Sequence, residues 1–129
     1  MRYAAGFALA TALLSSLASP AARAQQIEVE VGESLVCDTQ QQVERFVTLF
    51  DGNAANAASA VNSEVNDPNA CGVVAVAFVR GPEIATTRNR TGTYRVMRIL
   101  VLGVVTNSGI RATPPTAFYS IDQIEEREA

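Results

Sequence analysis

The sequence predicts an α+β domain, with an αα-hairpin inserted between the first and second strands of a strongly curved antiparallel sheet or small SH3-like barrel of about five strands. Three observations carry this expectation. Apolar residues recur at helical spacing in two stretches between Cys37 and Cys71. From Gly72 onward the period changes to that of strands separated by polar turns, and the longest of these runs holds Gly103, where a strand can bulge and bend.

The first strand is read in QQIEVEVGES, where Ile27, Val29 and Val31 alternate with Glu28 and Glu30, giving one apolar and one wet face. A helix then begins after Asp38 or Thr39, each followed three residues on by a Gln of the capping-box form. Its apolar stripe is Val43, Phe46, Val47 and Phe50, and Gly52 follows as a stop. Asn53 or Asn56 caps a second helix whose stripe, Ala54, Ala57, Ala58, Val61 and Val65, is mostly small and so permits close approach to a partner. Asn66-Asp67-Pro68 ends it. The remaining strands are a buried run at 73–79, a turn at Gly81-Pro82, a short run at 83–87, a polar turn RNRTG, a long strand at 93–105, and TAFYSI after Pro114-Pro115.

The N-terminus has the three parts of a secretory leader: Arg2, an apolar run from Phe7 to Leu17, and Ala22-Arg23-Ala24. The run is shorter than the roughly 20 apolar residues of a membrane span, and no Cys follows the cleavage motif to accept a lipid. The expected organisation is therefore a leader at 1–24, one α+β domain at 25–122 and a charged tail at 123–129, with a periplasmic or secreted destination. Cleavage after Ala24 leaves 8 arginines against 13 acidic residues, a net charge of −5, which is not the composition of a general nucleic-acid binder. No other segment is long and apolar enough to suggest a span.

Export places Cys37 and Cys71 in an oxidising compartment, where a pair of thiols in a small domain reads as a disulfide. The chain has no His, and all ten of its basic residues are Arg, so nucleophile systems built on His or Lys and Schiff-base chemistry have no residues to use. The same lack of His argues against a transition-metal site, and no nucleotide or nucleophile-elbow motif implies a cofactor. Asn89-Arg90-Thr91 has the N-glycosylation form, without a role beside a bacterial-type leader.

Charge placement supplies the binding expectation. Arg80, Arg88, Arg90, Arg95 and Arg98 fall within 19 residues, accompanied only by Glu83. Converging arginines could hold a carboxylate, a phosphate or the acidic surface of an envelope protein. Equally, they could flank apolar strands as solubilising charges. Arg98 interrupts an apolar strand, so it faces outward or pairs with Asp122 or Glu83. Tyr94 beside the turn, with Phe118 and Tyr119, could complete an Arg/Tyr recognition surface. The clusters Glu28, Glu30, Glu33 and Glu125, Glu126, Glu128 lack calcium-loop spacing and read as a solvated strand face and a solvated tail.

The leader, LVCDTQQQVERFV, NDPNACG before a strand, and the arginine-rich hairpin together resemble a group of small exported bacterial proteins of unassigned function. The resemblance implies export and the α+β fold, and carries no functional residues. The expectation is a non-enzymatic binding module acting through Arg80, Arg88, Arg90, Tyr94 and Arg95. Its alternatives are an enzyme using carboxylate, Arg and Tyr groups, or a structural accessory of the cell envelope.

Overall fold

A computed structural model describes residues 27–124; the leader with its cleavage site and residues 125–129 of the tail lie outside the described residues. The order is β1 (Glu30–Cys37), α1 (Gln40–Leu49), α2 (Ala54–Val65), β2 (Cys71–Asn89), β3 (Gly92–Thr106) and β4 (Gly109–Ile124). The chain is α+β and mostly strand, with both helices inserted between the first two strands.

Thr39 is the cap of α1. Its Oγ1 accepts from the Gln42 N–H at 3.2 Å, and the Gln42 side chain accepts from the Thr39 N–H at 3.0 Å, so two otherwise orphaned donors are satisfied reciprocally. Val43, Phe46 and Val47 then face the core. Asn53 caps α2 by accepting from the Asn56 N–H at 2.9 Å. The small residues Ala57 and Ala58, with Val61, are its buried face. Asn66 ends α2 in the left-handed region (φ 61°, ψ 39°), donating to the carbonyls of Asn62 and Ser63.

The sheet is antiparallel in the order β1-β2-β3-β4. It curls until β1 meets β4 at one bridge, Cys37 with Tyr119. Cys37 also lies directly opposite Cys71 in the β1–β2 register, and the two are joined by a disulfide at the base of the helical insertion.

The sheet has four strands among the described residues, where about five were expected. The difference lies at Gly81-Pro82, which does not turn the chain. The β2–β3 register passes from Arg80 opposite Ile99 to Glu83 opposite Met97, so the runs at 73–79 and 83–87 are one bulged strand. Gly81 runs so close to β3 that a Cβ there would stand 2.6 Å from the Arg98 carbonyl oxygen. Pro114-Pro115 likewise sits within β4. The register jumps from Val101 opposite Thr116 to Gly103 opposite Ala112, and the prolines fall in the unpaired excess where no ladder N–H is needed.

Two cores form on opposite faces of the sheet. Leu35, Cys37, Cys71, Tyr94 and Val96 pack against Val43, Phe46, Val47, Ala57, Ala58 and Val61 of the helices. Val76, Phe78, Met97, Ile99 and Val101 form the second cluster with Val36 and Phe118. Successive strand residues alternate faces, so β3 turns Tyr94 and Val96 to the helices and Met97, Ile99 and Val101 into the curl of the sheet. The apolar face expected at Ile27, Val29 and Val31 is instead 73%, 51% and 56% exposed. Only the end of β1 near Cys37 is bridged to β4 through the backbone among the described residues.

A cleft at the seam between β1 and β4

The five arginines do not converge. Arg88 donates from Nε to Thr93 Oγ1 at 3.2 Å. Arg95 meets Glu83 at 3.1 Å. Arg98 is exposed and lies over the Tyr119 ring, 5.9 Å from its centroid; it pairs with neither Asp122 nor Glu83. Arg90 is exposed in the β2–β3 turn and makes no ion pair among the described residues. Tyr94, expected on a recognition surface, is 4% exposed, and its ring meets Phe50 edge-on at 6.2 Å while its hydroxyl bonds Thr91 Oγ1. It turns inward because the even positions of β3 near the turn lie under the helices.

Arg80 has a different place. From β2 it donates through Nε to Glu30 on β1 and through Nη1 to Asp122 on β4, so one guanidinium spans the two strands. Nη1 also lies 3.3 Å from Met97 Sδ. The hydrogen bond that Arg80 donates to Glu30, then the one it donates to Asp122, raises the Arg80 pKa above its ordinary value, so the guanidinium is a fixed cation.

That span crosses a gap in the sheet. Beyond the Cys37–Tyr119 bridge, no described residue of β1 pairs with β4. Two side-chain links replace the missing ladder: the Arg80 bridge and a contact between Ser34 Oγ and Ser120 Oγ at 3.1 Å. A cavity of about 430 Å³ opens along this seam. Leu35, Phe46, Tyr94 and Ile121 line it from the helix side, and Phe78 and Met97 line it from the second core. Residues from both cores therefore reach one cleft, because no backbone hydrogen bonds close the sheet between them. Glu30, Glu33, Arg80 and Asp122 are its charged groups, beside the polar Ser34 and Gln123.

A second hollow of similar size, also about 430 Å³, lies among Val36, Val74, Val76, Val101, Val104 and Phe118. Volume does not separate the two. Binding sites combine an apolar lining with a few convergent polar groups that fix orientation, and among charged residues the second hollow is lined only by Asp38. The seam cleft has the stronger claim.

Sequence reasoning singled out Arg80 but placed it in the wrong company. Glu30 and Glu33 read as a solvated face, and Asp122 only as one of two carboxylates that Arg98 could meet if it did not face outward. An ion pair between residues 50 positions apart, as for Arg80 and Glu30, leaves no local signal. Among the described residues no cluster of His, Cys, Asp and Glu could hold a metal ion, and no helix is long and apolar enough to cross a membrane. No protein-family model, curated protein or solved structure matches the chain.

Proposed function

We propose that the protein is a small exported, non-enzymatic binding module that holds a small ligand in the seam cleft. One observation carries the reading: the place where β1 and β4 lose their hydrogen bonds is also where apolar side chains from both cores meet Glu30, Arg80 and Asp122. A volume of about 430 Å³ lies within the range of small-molecule sites. Binding is favoured over acid–base chemistry because Glu30 and Asp122 are both engaged by Arg80. Export, to the periplasm or beyond, draws support from the disulfide and from the leader read in the sequence.

A second reading, an acidic envelope partner at the arginine-rich turn, is favoured by Arg90 alone, since the neighbouring arginines have partners and Tyr94 is buried. Chemical-shift mapping of the labelled, oxidised protein with a panel of octyl and decyl amphiphiles separates the two. Shifts centred on Leu35, Tyr94 and Ile121 are the expected result. Shifts confined to residues 88–91, or none with any compound, would overturn the cleft as a site.

A further inference from the structure

We infer that the ligand of this cleft is a linear amphiphile with a cationic head, a primary ammonium or guanidinium on an apolar chain. The inference rests on the binding reading above and names the ligand class. Charge decides it. Three carboxylates, Glu30, Glu33 and Asp122, line the cleft against one cation, Arg80. Arg80 engages Glu30 through Oε2 and Asp122 through Oδ2, which leaves Glu30 Oε1 and Asp122 Oδ1 without a hydrogen bond among the described residues. Glu33 is exposed and has no hydrogen-bond or ion-pair partner there. The cleft thus offers several carboxylate oxygens as acceptors, and its one cationic donor is already shared between two anions.

An anionic head would be placed beside these carboxylates with only an engaged guanidinium to meet it, and like charges at close range disfavour binding. A cationic head donates charge-assisted hydrogen bonds to the same oxygens. The chain fits Leu35, Phe46, Tyr94, Phe78, Met97 and Ile121. An extended peptide strand is the poorer occupant. Neighbouring strands lie about 4.8 Å apart, so a strand inserted between β1 and β4 would hold them about twice that distance apart. The Ser34–Ser120 contact at 3.1 Å and the Arg80 bridge would both have to break.

The test uses decylammonium, decanoate and decan-1-ol as monomers, titrated calorimetrically into the full oxidised chain at low and high salt. Decylammonium is expected to bind about tenfold more tightly than decanoate at low salt, with the advantage shrinking as salt rises. Glu33→Gln leaves the Arg80 bridge intact and is expected to weaken decylammonium about fivefold, as for one exposed charge pair, without changing decan-1-ol. Val31→Trp fills the cleft mouth from a residue 56% exposed, so folding tolerates it, and is expected to weaken all three probes at least tenfold. Decanoate binding as tightly as decylammonium, or Glu33→Gln without effect, would overturn the cationic class and leave the cleft as a site. No binding by any probe, or unchanged binding in Val31→Trp, would overturn the site together with the class.

Discussion

Asn62 supplies the hydrogen bonds of an absent neighbouring strand. Its side-chain oxygen accepts from the Cys71 N–H at 2.8 Å, and its amide donates to the Cys71 carbonyl at 3.0 Å and to Pro68 at 2.9 Å. Asn62→Ala would leave a part-buried N–H unpaired, so urea denaturation should show a loss of about 1–3 kcal/mol. Asn89 acts similarly at the other end of β2, donating to the carbonyls of Val47 in α1 at 2.6 Å and of Phe50, which caps that helix, at 3.1 Å. Neither role was legible: Asn62 sat on a polar helix face and Asn89 in a polar turn, and their partners come from packing. The exposed pair Arg45–Glu64 shows the opposite behaviour. The hydrogen bond from Arg45 lowers the Glu64 pKa below its ordinary 4.5. A lowered carboxyl stabilises the fold at neutral pH, and that contribution is lost as pH falls through the lowered value. Glu64→Gln should therefore slightly lower stability at neutral and alkaline pH, and flatten the acid side of a stability–pH profile, where the native contribution is already lost.

At the scale of elements, the helices were readable because capping and stripe are local. Thr39 with Gln42, Asn53, and Val43, Phe46 and Val47 stand where the spacing placed them. The strands were less so, since Gly-Pro serves a turn or a bulge equally well and only the approach of Gly81 to Arg98 on β3 decides between them. Gly81→Ala should consequently cost about 1–3 kcal/mol. Gly32→Ala, where an added Cβ meets nothing within 4 Å, should cost much less, and paired urea curves measure the difference. The disulfide fixes the base of the helical insertion. Its cysteines are 34 residues apart, so the chain-entropy model gives about 3–4 kcal/mol. The Cys37→Ala/Cys71→Ala variant should lose that much unfolding free energy in urea denaturation, and alkylation of the native protein without reduction should label no thiol.

At the scale of the whole molecule, the described residues form one sheet with a core on each face, one of them under the helices, and the site lies where the two cores communicate. Val96 and Met97, adjacent in sequence, are buried in different cores. The sequence pointed to burial on both faces for the run at 73–79 and not for this strand. Nor was the seam legible: it follows from β1 meeting β4 at Cys37 and Tyr119 and nowhere else among the described residues. Sequence proximity therefore drew the arginines into one imagined surface, whereas curvature of the sheet sends Arg80 to the seam and Arg98 to the face with Tyr119. The overall acidity of the chain adds a weak, salt-screened attraction for cations to the local charge of the cleft. The most direct measurement of the central claim is the set of intermolecular NOEs from decylammonium bound to the oxidised protein. Contacts from the decyl chain to the Leu35 methyls, the Tyr94 ring and the Ile121 methyls are predicted. Contacts to the hairpin turn at residues 88–91, with none to those three side chains, would contradict the account.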